Sequence, residues 1–85
     1  MTVTVLYFAR LREAFGLSTE QIELPQAIHD ISSLTRWLRE RGGVWDAELA
    51  ETRTVRAAVN QVMAAGDTVI KNGDEIAFFP PVTGG

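Results

Sequence analysis

The sequence contains no cysteine and a single histidine, His29. Without cysteine there is no disulfide framework, no thiolate nucleophile and no cysteine-ligated metal. A lone histidine has no partner with which to hold a metal, so none is expected, and a surface or helix-cap role suits His29 better than a base. A basic excess is also missing. Eight Lys and Arg against eleven Asp and Glu leave a net charge of -3, the wrong sign for a concentrated phosphate-binding face. Arg36, Arg39 and Arg41 do cluster, but Glu40 sits among them and Asp46, Glu48 and Glu51 follow, which describes a solvated helix face. No apolar run approaches membrane-spanning length, and the opening MTVTVLYF lacks the basic region of a secretory signal. No nucleic acid, no membrane and a cytoplasmic location are therefore expected.

What remains is the composition of one folded domain. Hydrophobic residues make up 46% and charged residues 22% of 85 residues. A core this small supports a net stability of roughly 4–13 kcal/mol. It also leaves little room for an enclosed pocket, which favours a protein that acts through its surface.

Residues 2–8 alternate at Val3 and Val5 and then turn continuously apolar, as a central strand does. Leu11 and Phe15 lie four apart on a short helix for which Gly16 is a natural stop. Residues 19–24 place Ile22 and Leu24 on one side of a second strand, ended by Pro25. Asp30 suits the N-cap of a main helix from Ile31 to Arg41, with Ile31, Leu34, Trp37 and Leu38 as its apolar stripe. Val44 to Thr54 shows no period and reads as loop or a helical turn. Short strands are expected at 55–59, 68–70 and 75–79, with turns at Asn60-Gln61 and Lys71 to Asp74. One mixed sheet on one main helix, an α+β fold, accommodates this order.

Chemistry-bearing groups are sparse. Ser32 and Ser33 stand at a helix start, where serines belong for backbone reasons. The glutamates are scattered, and neither Gly42-Gly43 nor the Lys71 to Asp74 turn matches a phosphate-binding loop. An enzyme acting alone is not expected. The ending FFPPVTGG is different. Pro80 and Pro81 fix φ and favour extended geometry, so the chain leaves its last strand pointing away from the body. From Pro80 through Val82 and Thr83 to Gly85, the tail reaches about 20 Å at most. Gly84 and Gly85 carry no side chain, so the tip can enter a channel too narrow for a Cβ. The group presented there is the α-carboxylate of Gly85, which becomes a good electrophile once adenylated.

The stretches VLYFARLREAFG, AAVNQ and NGDEIAFFPPVTGG resemble the small subunits of molybdopterin synthase, the MoaD-type sulfur carriers of the ubiquitin-like β-grasp family. The resemblance runs from Val3 to Gly85 and leaves Val44 to Thr54 without a matching signature. It implies a β-grasp domain over residues 1–79 and an extended tail over residues 80–85. It further implies that a MoeB-like adenylyltransferase uses ATP to activate Gly85 and that a sulfur-transfer protein converts the adenylate to a thiocarboxylate. The tail would then insert into a large, MoaE-type subunit and donate its sulfur to cyclic pyranopterin monophosphate. A dithiolene needs two sulfurs, so a heterotetramer of two small and two large subunits is implied, with the catalytic residues in the large one. This chain would bind no cofactor of its own. Phe79, turned outward by strand alternation, and the adaptable Met63 are the expected docking residues, with Arg12 a further contact to the tail or to a partner carboxylate. Three other readings share the same features: a protein modifier joined through Gly85 to lysines, a thiamine-pathway sulfur carrier, and a binding module whose tail is incidental.

Overall fold

The computed structural model describes residues 1–81; Val82, Thr83, Gly84 and Gly85 lie outside the described residues. Strand β1 (Thr2–Tyr7) is followed by helix α1 (Arg10–Phe15) and strand β2 (Thr19–Glu23). Helices α2 (Ile31–Arg39) and α3 (Val44–Glu48) come next, then strands β3 (Arg56–Val59), β4 (Val62–Ala64) and β5 (Glu75–Phe79). The five strands form one mixed sheet in the order β2-β1-β5-β3-β4. β1 and β5 run parallel at its centre, and every other neighbouring pair is antiparallel.

Local chemistry explains the element ends. Asp30 caps α2: its Oδ1 accepts the Ser33 N–H at 2.8 Å, while Ser33 Oγ accepts the Asp30 N–H at 3.1 Å. Gly16 ends α1 in the left-handed region, at φ 72, with its N–H donating to the Arg12 carbonyl. Asn60 and Gln61, at φ 50 and 70, make the tight hairpin between β3 and β4. Two of the sequence's recurring stretches meet there. The Asn60 side chain donates to Asp74 Oδ1 at 2.9 Å and accepts the Glu75 N–H at 3.0 Å, tying the hairpin to the start of β5.

The structure differs from the sequence reading in three places. Residues 68–70 do not form a strand of the sheet. They pair through one bridge, Asp30 with Val69, to the lead-in of α2, where the Ile70 N–H donates to the His29 carbonyl at 2.8 Å. The additional strand is β4, whose three residues are too few to show a period. Helix α2 also stops at Arg39, short of Arg41. The Arg41 and Gly42 N–H groups donate to carbonyls three residues back, and this tighter last turn swings Arg41 out of the helix.

Arg41 swings toward Glu20. Its two terminal nitrogens donate to both Glu20 oxygens, at 2.9 and 3.1 Å, and the Tyr7 hydroxyl donates to Glu20 Oε2 at 2.7 Å. The guanidinium lies 4.4 Å from the Trp45 ring centroid, and that ring stacks on Phe15 at 3.8 Å. Trp45 and Phe15 both meet the Tyr7 ring edge-on, and Tyr7 stacks with Phe78 at 6.3 Å. The segment after α2, featureless in sequence, thus supplies one wall of the aromatic core. Burial first, and then the hydrogen bond and charge of Glu20, hold the Tyr7 hydroxyl above its usual range, so it remains a donor. For Glu20, burial pushes the carboxyl up, but the hydrogen bonds from Arg41 and Tyr7 and the charge of Arg41 outweigh it, and the net direction is down.

The helix-covered face of the sheet is Val3, Val5, Tyr7, Ile22, Ala57, Ile76 and Phe78, packed with Ile31, Leu34 and Leu38 of α2. Phe78 is 1% exposed, whereas its neighbour Phe79 is half-buried on the opposite face. Phe78→Ala is therefore expected to cost roughly 3–5 kcal/mol in chemical denaturation, and Phe79→Ala much less. Equal losses would contradict this register.

Glu20 gives a second expectation. A carboxylate whose folded pKa lies below its ordinary 4.5 adds stability above that pH, and loses it as pH falls through the folded value. Between neutral pH and pH ~3, Tm of the native chain should fall more steeply than that of Glu20→Gln. Parallel acid limbs would show that Glu20 is not coupled to folding.

Candidate functional site: the open sheet face and the base of the tail

The side of the sheet away from α2 carries no helix. Because alternate residues share a face, the strand register fixes what it displays. Leu6 pairs with Ala77, Ala77 with Ala58, and Ala58 with Met63, which makes an apolar row across β1, β5, β3 and β4. Two alanines in the middle keep this row low between larger side chains at its ends. Met63 is 60% exposed, a large apolar side chain left in water on a chain with a small core to fill.

The row toward the C-terminal end of β5 is built from Phe8, Phe79 and Arg56. Phe79 pairs with Arg56 of β3, and Phe8, one residue past β1, donates its N–H to the Phe78 carbonyl at 3.1 Å. Phe8 is 47% exposed. Pro80 and Pro81 follow directly, both half-buried and outside any regular element. The chain thus leaves the sheet at a row of strand positions held by two aromatic residues and an arginine, next to the apolar row.

Of the residues singled out from sequence, the structure brings Phe79 and Met63 onto one face and sets the described part of the tail, Pro80 and Pro81, at its edge. Arg12 is exposed on α1 and makes no salt bridge among the described residues; its neighbour Arg10 is the one that pairs, with Glu48 at 3.0 Å. Val82, Thr83, Gly84 and Gly85, which carry the tail's proposed chemistry, lie outside the described residues. Sequence reasoning missed Phe8, Leu6, Ala58, Ala77 and Arg56. Only Phe8 left a signal, as an aromatic at the end of a strand whose core positions were already assigned.

The other candidates stay apart from this face. His29 is exposed, with Nδ1 3.1 Å from the Ala27 carbonyl. No group of His, Asp and Glu among the described residues is arranged to hold a metal. A concavity of about 490 Å³ lies on the other side of the sheet between α2 and β3–β4, lined by Ser32, Thr35, Arg36, Arg39 and Glu51 among others. It gathers no acid and base into a catalytic arrangement: Arg39 is held by Asp46 at 3.0 Å. No described helix is long and apolar enough to cross a membrane.

Known proteins are similar to this chain in sequence and in fold. The chain is 39% identical over 83 residues to the molybdopterin synthase sulfur carrier subunit of Haemophilus influenzae, covering 98% of this chain and 99% of that one. It is 36% identical to the protein of the same name in Escherichia coli, over the same shares of both chains. Among solved structures, it superposes at a TM-score of 0.80 on a Pyrococcus furiosus protein provisionally named molybdopterin converting factor subunit 1. That protein is 33% identical, and the match covers 96% of this chain and 99% of that one. Residues 5–85 match the ThiS family, and with full-length relatives of this kind the chain belongs to that family of ubiquitin-like proteins.

Proposed function

We propose that this chain is the sulfur-carrier subunit of a molybdopterin synthase, working through the carboxylate of Gly85. The observation that carries the reading is an open apolar face, with Phe8 and Met63 exposed and Phe79 half-buried, at the start of a glycine-tipped tail. Family membership supports it, as do relatives named sulfur carrier subunits that match this chain end to end. The chemistry is assigned to enzymes that the chain visits.

In the proposed cycle a MoeB-like adenylyltransferase binds the open face and the tail enters its active site. The Gly85 carboxylate oxygen attacks the α-phosphorus of ATP, and pyrophosphate leaves. Hydrosulfide supplied through a transfer protein attacks the acyl carbon and AMP departs as the carbon–oxygen bond of the mixed anhydride breaks, which leaves a thiocarboxylate. The loaded chain then docks on a large, MoaE-type subunit, and the sulfur passes to cyclic pyranopterin monophosphate. Two sulfurs per dithiolene account for the proposed assembly of two small and two large subunits. Phe79 and Met63 supply the apolar anchor in both encounters. Arg12 and Arg56 are assigned to the rim of the proposed contact, where a guanidinium serves orientation and encounter rate more than affinity.

The reading makes two demands. The reacting group is a main-chain carboxylate, so one alanine added after Gly85 should abolish sulfur transfer and leave thermal unfolding unchanged. Sulfur transfer by the extended chain at the native rate would overturn the carrier reading. The second demand falls on the anchor. Phe79→Ala should weaken binding to the large subunit by about 2 kcal/mol or more in calorimetric titration, the loss typical of a central aromatic anchor. Native affinity for that variant would move the docking site off the open face.

A further inference from the structure

Among the described residues, three other than glycine have positive φ: Ala9, Asn60 and Gln61. The last two form the hairpin turn described above. Ala9 is different. Its φ of 52 and ψ of -127 are what a type II′ turn asks of its first central residue, a region where glycine is at home and a Cβ is crowded. The Leu11 N–H donates to the Phe8 carbonyl at 3.1 Å and closes the turn.

The chain contains its own control. Gly43 precedes α3 as Ala9 precedes α1, with nearly the same backbone, φ 55 and ψ -129. A Cβ built on Gly43 would meet nothing within 4 Å, so glycine is used there for its backbone freedom and not for lack of space. Where the same bend leads into α1, the residue carries a methyl group. That methyl packs nothing in the core, because Ala9 is exposed. The fold therefore keeps a strained residue where glycine would serve and where packing gives no compensation. The turn it shapes carries Phe8, whose N–H holds the Phe78 carbonyl beside the exit of the tail.

We propose that Ala9 is a positioning residue for docking. Its methyl stiffens the Phe8–Leu11 turn, which holds Phe8 at the end of the β1–β5 pair, level with the exit of the tail, and leads directly into α1. Glycine at this position would sample both signs of φ and loosen the turn, and the partner would then have to order it on binding. The inference rests on the carrier reading and adds to it a residue that touches no reacting group.

The test uses the full-length chain in three forms: native, Ala9→Gly, and a chemically ligated chain with d-alanine at position 9. The d-enantiomer prefers positive φ, so it relieves the strain while keeping the turn stiff. The probes are hydrogen exchange at the Leu11 amide and calorimetric titration with a purified molybdopterin synthase large subunit. Ala9→Gly should keep its Tm, exchange the Leu11 amide faster, and bind about five- to tenfold more weakly with the loss mainly entropic, the size of ordering one backbone residue. The d-alanine chain should recover both slow exchange and native affinity. Native affinity in Ala9→Gly, or glycine-like affinity in the d-alanine chain, would overturn the proposal. Should Ala9→Gly fail to fold, the d-alanine chain decides alone. A native chain that does not bind the large subunit fails the carrier reading and this inference with it, whereas a binding native chain matched by Ala9→Gly fails this inference only.

Discussion

The parallel pairing of β1 with β5 is the constraint on which the rest of the molecule depends. Val5 opposite Ile76 and Tyr7 opposite Phe78 put four large side chains on the helix side of the two central strands. Side-chain direction has a period of two, so this choice leaves no freedom for the other face: Leu6, Ala77 and Phe79 must point away from α2. Slipping β5 by one residue would bury Phe79, expose Phe78 and take the aromatic anchor off the open face. The same register that fills the core therefore aims the base of the tail.

The Tyr7 ring sits at the crossing of several supports, which is why the pairing is well defended. Phe78 stacks on it, Phe15 and Trp45 meet its edges, and its hydroxyl is held by Glu20, itself gripped by Arg41. Each support comes from a different part of the chain. Arg41 can reach Glu20 only because α2 ends early, and Trp45 can stack on Phe15 only because Gly42 and Gly43 let the chain turn into α3. A buried tyrosine and a half-buried carboxylate would each be costly alone; together with the guanidinium no buried side-chain polar atom among the described residues is left without a partner.

What could be read from the sequence was what short-range chemistry decides. The Asp30 cap, the Gly16 stop and the Asn60-Gln61 turn each depend on a few adjacent residues, and the structure has all three. The alternation in β1 and β5 was long enough to separate Phe78 from Phe79. Strand β4 and the Thr68–Ile70 segment were misassigned because three residues carry no period, and which neighbour they pair with depends on the whole topology. Trp45 was illegible for a related reason: its partners Phe15, Arg41 and Tyr7 are brought to it by three different elements. The site was legible in part. Phe79, Met63 and the tail stood out by residue type, whereas Leu6, Ala58 and Ala77 become a surface only once the strand order β1-β5-β3-β4 is known. Ala9 could not have been noticed at all, since nothing in the letters ARLRE marks a positive φ.

The two faces of the sheet are held to opposite demands. On the helix side, branched and aromatic side chains fill the space under α2, and that packing sets stability. On the open side the proposed carrier role asks for binding firm enough to place the tail, yet weak enough to release each enzyme for the next. A face as rich as the core would hold its first partner too long and would also invite self-association. Ala58 and Ala77 keep the centre of this face small, and its large apolar side chains are confined to the margins at Phe8, Phe79 and Met63. With so few anchors, affinity depends on how well each is held in place before contact, because every torsion ordered on binding subtracts from a modest total. Phe79 is fixed by its strand. Met63 is left adaptable on a short edge strand. Phe8 lies beyond the last residue of β1 and has no strand to fix it, so the turn at Ala9 must do so.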